Sequence, residues 1–228
     1  NDTWIQTDKL TALDGAKYSQ FGSSVGMSLG FIAVGAFGQD DGKYYAGAAY
    51  VFTLNTSGKW TQEQKLQASD IRARAYFGSK LAVSDDGTLV VTAPGDLYTS
   101  GSVYVFSCTV AGVCTESDVL RDEDEEQGDL FGKSVSISYN TIIVGMPYND
   151  ENYDDVVADY VDDYFVESTG SIYTYTPELE GGWVMTSKVT AADVAKDAIL
   201  FGEQVAISNH TVAVVSVNGL AYVKEVCE

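Results

Sequence analysis

Short apolar runs, broken by turn residues, follow one another along this chain as a recurring set of four. The first set runs Phe21-Gly22, Val25, Ser28, then Ala33-Val34-Gly35-Ala36, then Gly47-Ala48-Ala49-Tyr50-Val51-Phe52, then Trp60 and Lys65-Leu66. The second set has Phe77-Gly78, Leu81, Ser84, then Val90-Val91-Thr92-Ala93-Pro94 and Gly101-Ser102-Val103-Tyr104-Val105-Phe106. The third has Phe131-Gly132, Ile143-Val144-Gly145-Met146-Pro147, Gly170-Ser171-Ile172-Tyr173-Thr174-Tyr175 and then Trp183. Phe201-Gly202, Ala213-Val214-Val215 and Gly219 to Val223 make a fourth set that lacks its last run. Each run is rich in β-branched and aromatic residues and is bounded by Gly, Ser, Asn or Asp, so each predicts a strand. The Phe-Gly pairs fall 54 to 70 residues apart, a period typical of repeat architectures.

Four strands per period predict an all-β chain of four-stranded antiparallel blades, a β-propeller. The phrases resemble the FG-GAP repeat of integrin α-chain propellers and many secreted proteins. The Phe-Gly half stands at Phe21-Gly22, Phe77-Gly78, Phe131-Gly132 and Phe201-Gly202. The Gly-Ala-Pro half is looser, as Gly35-Ala36-Phe37, Thr92-Ala93-Pro94 and Gly145-Met146-Pro147, and the fourth repeat lacks it. The resemblance covers nearly the whole chain. It implies the fold and leaves the function open, because sites are grafted onto folds.

Residues 1–228 then read as a single propeller domain, with repeats near 21–68, 77–122, 131–191 and 201–226 plus 3–12. Trp4, Lys9-Leu10 and Ala12 form an isolated fourth phrase, the one the last repeat lacks. An N-terminal strand completing the last blade would close a ring of about four blades and remove its exposed edges. The alternative is an open arc cut from a larger ring.

Antiparallel strands alternate direction, so loops from strand four to one and from strand two to three share a face. Those loops hold most of the 33 acidic residues and most of the 15 tyrosines. The opposite face carries Asn55, Asn209, Asn1, the Cys108–Cys114 loop and Cys227. The loop between Pro147 and Gly170 departs most from its siblings. It holds Asp150, Asp154, Asp155, Asp159, Tyr160, Asp162 and Asp163. Val156, Val157, Tyr160, Val161, Tyr164 and Phe165 follow helical spacing there, which suits either a helix packed on the face or a docking element. Together with Tyr44, Tyr45 and Tyr98 these residues form the candidate binding set, since exposed tyrosine among acids suits protein or sugar recognition. The bland alternative is that the tyrosines pack over the mouth of the ring.

Net charge of −20 argues against nucleic acid or an anionic membrane surface as partner. No run of eighteen apolar residues occurs, so membrane insertion is not expected. Cys108 and Cys114 flank one turn and read as a disulfide in preference to free thiols. Cys227 is left over, for a partner on another chain or in self-assembly. Asn1, Asn55 and Asn209 begin glycosylation sequons. With the cysteines they point to an extracellular, secreted or cell-surface chain.

Catalysis finds little support. The single histidine, His210, lies in a strand-one-to-two turn, and the Ser-His-Asp and histidine–zinc constellations need imidazoles the chain lacks. Calcium is the one cofactor that its oxygen-rich loops suit. In FG-GAP repeats of the integrin type the metal loop joins strands one and two. Here those turns are short, and Asp85-Asp86-Gly87 keeps only a remnant. Asp122, Asp124 and Glu126 have one-three-five ligand spacing, but Gly128 stands two places late, and solvated charge is the competing reading. The expectation is a non-enzymatic binding or adhesion module for a protein or glycan. The alternatives are a structural subunit of an extracellular filament or coat and, more weakly, a sugar-binding or hydrolytic propeller.

Overall fold

The computed structural model describes residues 3, 5–28, 30–70, 72–95, 101–122, 128–149, 170–194, 200–209, 211–216 and 221–225. Within them the chain is all-β, in four antiparallel sheets that follow the repeats in order. The first holds β1 (Val25–Ser28), β2 (Phe31–Ala36), β3 (Ala48–Leu54) and β4 (Trp60–Leu66). The second holds β5 (Leu81–Val83), β6 (Thr88–Ala93), β7 (Ser102–Cys108) and β8 (Cys114–Leu120). The third holds β9 (Ser134–Ser138), β10 (Thr141–Met146), β11 (Ser171–Pro177) and β12 (Trp183–Thr190), followed by the one-turn helix α1 (Ala191–Val194). The fourth has three strands, β13 (Gln204–Ser208), β14 (Thr211–Val215) and β15 (Ala221–Glu225). Every sheet is a simple meander, and β3–β4, β7–β8 and β11–β12 share a register shift at one repeat position.

Burial follows position in the meander. β3 is buried on both faces from Ala48 to Phe52, whereas the outer strand β4 alternates between half-buried and exposed. The reason is that sheets stack face to face, with their first strands lying in the sequence β1, β5, β9, β13. Separate apolar cores fill the spaces between the first and second, second and third, and third and fourth sheets. In each, the Phe of the Phe-Gly pair sits edge-on to third-strand aromatics. Phe77 meets Tyr104 and Phe106 at 5.3 and 6.2 Å, and Phe131 meets Tyr173 and Tyr175 at 5.3 and 6.3 Å. Such edge-to-face pairs add specificity to area burial.

Successive sheets are also joined through their backbones. Gly47 (φ 86°) bridges Phe77 in parallel fashion. A Cβ at Gly47 would overlap the Phe77 carbonyl, and the same holds for Gly101 against Phe131 and Gly170 against Phe201. The glycine that opens each third phrase therefore lets one repeat touch the next. Ser24 Oγ donates to Gly78 O at 2.9 Å, and Ser134 Oγ to Gly202 O at 2.7 Å. Farther out, Gln64 bonds both backbone groups of Cys114 (3.0 and 2.8 Å), and Asp118 accepts from Trp183 N at 2.6 Å.

The expected N-terminal strand is not formed. Residues 5–10 carry no strand, and β15 pairs with β14 alone among the described residues. The segment does reach the place its phrase implies. Leu10 and Ala12 pack with Phe21 on the core of the first sheet, as Leu66 and Ala68 pack with Phe77 on the second. On the face of the first sheet turned away from the second, Val25 and Met27 are 69 and 70 % exposed, and Val223 of β15 is 70 % exposed. The two end sheets therefore keep apolar surface, the physical counterpart of a pairing that has not been made. The expected helix over 156–165 lies outside the described residues.

Candidate binding face and axial clefts

The face expected from strand direction does gather both loop families. The loop after β2 and the loop after β4 are zipped together by main-chain bonds: Arg74 N donates to Tyr44 O (2.7 Å), Tyr76 N to Tyr45 O (3.1 Å) and Phe77 N to Ala46 O (3.0 Å). Tyr45, Arg74 and Tyr76 all take positive φ, 53°, 62° and 54°. That region is costly for residues with a Cβ, and the zipper holds them there. The result is an aromatic ladder. Phe37 meets Tyr76 at 6.0 Å, Tyr76 meets Tyr45 at 5.7 Å, Tyr45 meets Tyr44 at 4.4 Å, and the Arg74 guanidinium lies 5.8 Å from the Tyr44 ring centre. Tyr44, at the outer end, is 57 % exposed. Tyr44 and Tyr45 thus combine both readings: they pack on one another and still present surface.

Among the described residues, much of the acid on this face is already engaged. Tyr50 donates to Asp14 Oδ1 at 2.8 Å, and Lys65 Nζ pairs with both Asp14 and Asp41. In the next repeat Tyr104 donates to Asp70, which Arg121 approaches at 2.8 Å and Arg72 at 3.5 Å. Burial alone would raise the Asp14 and Asp70 carboxyls. The bonds from Lys65 and Tyr50, and from Tyr104 with both arginines, outweigh it and hold both carboxyls below the ordinary value. Burial first, and the aspartates second, push the Tyr50 and Tyr104 hydroxyls well above theirs. These clusters escape motif reading, although a Lys-to-Asp spacing of five (Lys9 and Asp14, Lys65 and Asp70, Lys188 and Asp193) marks their repeat position.

A buried polar patch replaces alanine in the third repeat. Asn149 Nδ2 donates to Asp129 Oδ2 (3.3 Å) and Ser171 Oγ to Asn149 Oδ1 (2.9 Å). Asp122 is 4 % exposed, and its Oδ2 has no hydrogen-bond partner. Its proposed companions Asp124 and Glu126 lie outside the described residues. Among the described residues no three acidic, His or Cys side chains converge as a cation site. The turn between β5 and β6 is only Ser84 to Gly87, and in it Asp86 Oδ1 accepts from Ser84 Oγ and Thr88 N.

Two clefts open around the first strands. One, of about 300 Å³, lies on the loop face where the chain leaves each Phe-Gly pair, and takes lining residues from all four repeats. The other, of about 580 Å³, lies among the strand-one-to-two turns and is lined by Asp85, Asp86, Tyr139, Asn140 and Asn209. On that side too, Cys108 and Cys114 form a disulfide between directly opposed residues of β7 and β8. Asn55 Oδ1 caps its hairpin by accepting from Ser57 N and Lys59 N, each at 3.0 Å. Asp150, Asp154, Asp155, Asp159, Tyr160, Asp162, Asp163 and Tyr98 lie outside the described residues, as do Asn1, His210 and Cys227.

The sequence profile of the FG-GAP repeat matches residues 4–52, 60–106 and 115–175. The chain belongs to the FG-GAP repeat family. Each match runs through the first three strands of one sheet, the second and third matches starting on the fourth strand of the sheet before. The Phe-Gly of the family is the pair whose ring packs on its own third strand while its backbone meets the glycine of the preceding repeat. No curated protein matches the chain. Among solved structures, the computationally designed Ika4 protein shares the fold with a TM-score of 0.57 at 13 % identity, over 97 % of this chain and 100 % of that one. A protein from Lactobacillus plantarum aligns with a TM-score of 0.45 at 15 % identity, over 86 % of this chain and 53 % of that one.

Proposed function

We propose that this FG-GAP chain is a secreted or cell-surface binding module that recognises a protein or glycan through its loop face. The observation that carries the reading is the ladder Phe37, Tyr76, Tyr45, Tyr44, which runs outward from the axial cleft and ends on an exposed ring beside Arg74. Rigid aromatic surface with an arginine at its edge is the composition of binding hot spots. The loop that joins β10 to β11 contributes six aspartates, Asp150, Asp154, Asp155, Asp159, Asp162 and Asp163, to the chain's negative charge. The module is non-catalytic in this reading, and the Cys108–Cys114 disulfide suits an oxidising compartment.

We further propose that the domain is a closed ring of four blades, completed by the N-terminal segment. Leu10 and Ala12 already occupy the equivalent of Leu66 and Ala68. Pairing of residues 4–10 with β15 would satisfy the open edge of that strand, which pairs with β14 alone among the described residues.

The binding reading is tested by probing glycan and cell-surface protein arrays with the intact chain and with Tyr44→Ser/Arg74→Gln. A ligand held through this face should be lost at least tenfold in the variant. The six Asp→Asn changes in the long loop should flatten its salt dependence, since exposed charges act over roughly 8–10 Å. A ligand bound equally by all three proteins would place recognition elsewhere.

A further inference from the structure

The axial cleft on the loop face breaks the repeat rule at two positions. In the first repeat the two residues after Phe-Gly are Ser23 and Ser24, and in the third Ser134 fills the second of these positions. Ser24 and Ser134 are spent on bonds to the next repeat. In the second repeat the corresponding serine is Lys80, and that inter-sheet bond is given up. In the third repeat the place of Ser23 and Ser79 is taken by Lys133. Both lysines line the same cleft, and neither ammonium forms an ion pair or hydrogen bond among the described residues. Packing does not require either change, and a chain of net charge −20 has carboxylates to spare for them.

The fourth repeat adds Glu203 and Gln204 to the lining. Glu203 Oε2 is buried without a hydrogen-bond partner among the described residues. A buried carboxylate oxygen in that state is costly unless a donor reaches it. The cleft therefore offers two unpaired cations, one anion in want of a donor, the Ser23 and Ser79 hydroxyls and an apolar wall of Phe37 and Pro94. A volume of about 300 Å³ suits a molecule of a few heavy atoms more than a bare inorganic anion.

We propose that this cleft binds a small dicarboxylate bearing an ammonium group, the chemistry of a free acidic α-amino acid. The two ligand carboxylates face Lys80 and Lys133, and the ligand ammonium faces Glu203. The charges then match one for one. This site shares Phe37 with the tyrosine ladder but none of its charged groups, so either proposal can fail alone.

Titration calorimetry on the intact chain tests it with L-glutamate, glutarate, L-glutamine, inorganic phosphate and a short peptide with N-terminal glutamate. Glutamate should bind one to one with a Kd below about 1 mM, and glutarate and glutamine should each bind at least tenfold more weakly. Lys133→Ser, the residue found at 23 and 79, should weaken glutamate at least tenfold while leaving the melting temperature unchanged. Glu203→Gln should weaken glutamate and leave glutarate unaffected. The peptide, whose first residue has lost its α-carboxylate to the amide bond, should also bind at least tenfold more weakly, and peptide binding as tight as that of glutamate would overturn the two-carboxylate assignment. No glutamate binding at 10 mM, phosphate binding as tight as that of glutamate, or an unchanged affinity in Lys133→Ser would overturn the proposal. Because Lys80 could affect folding, Lys133 and Glu203 carry the decision.

Discussion

The hydroxyl of Tyr50 donates to the carboxylate of Asp14 at 2.8 Å, across 36 residues of sequence. Tyr104 makes the same bond to Asp70 one repeat later. In both, the aspartate leaves the loop before one repeat and grips the third strand of that repeat, and a cation from its outer strand (Lys65) or from just beyond it (Arg121) closes the cluster. The acid of this face is thus partly a set of clasps between successive repeats.

The clasp has a pH signature. Asp14 titrates below its ordinary value in the fold, so its contribution is present above about pH 4 and is lost as pH falls through the folded value. Lys65 is raised, burial notwithstanding, by its bonds to Asp14 and Asp41. Its contribution is therefore present below its ordinary value and is lost as pH rises through the folded one. Asp14→Asn should destabilise by about 1 kcal/mol at pH 7, discounted for exposure. The deficit should vanish well below pH 4, as checked by urea unfolding at the two pH values.

Gly47→Ala should cost more than about 2 kcal/mol, because a left-handed backbone and an overlap with the Phe77 carbonyl coincide there. Gly58 has a similar φ of 75° with nothing near its missing side chain. Gly58→Ala should therefore cost only about 1 kcal/mol. Equal losses in denaturant melts would mean that the inter-repeat contact is not what demands glycine.

Replacing Cys108 and Cys114 by serine should lower stability by about 2 kcal/mol, as for a short loop released in the unfolded state. Mass mapping of the non-reduced chain should recover the Cys108–Cys114 peptide. A Cys108–Cys227 peptide would contradict the pairing.

Removing residues 3–12 tests ring closure. Leu10 and Ala12 cover the first sheet, and their loss would uncover Phe21 and leave β15 an open edge, which promotes association. The truncated chain should aggregate, or unfold less cooperatively in light scattering and calorimetry. A truncated chain that stays monomeric and melts like the intact one would rule closure out.

The sequence by itself determined the repeats, their strands, the sidedness of the loops, the aromatic core positions and the Cys108–Cys114 pair. These rest on local signals: period-two patterning, turn residues and fixed spacing, each legible within a few positions. Tertiary structure alone decided that Asp14, Asp41 and Asp70 are clasps. It also decided that Tyr44 and Tyr45 stack into a ladder and that Lys80 and Lys133 open into one cleft. Except for the neighbours Tyr44 and Tyr45, the partners come from other strands and loops, at separations along the chain that no local pattern encodes. The same reason explains the unformed N-terminal strand. The phrase at Lys9-Leu10 states what it could pair with, but pairing depends on whether the first and fourth sheets meet, which is a property of the whole stack.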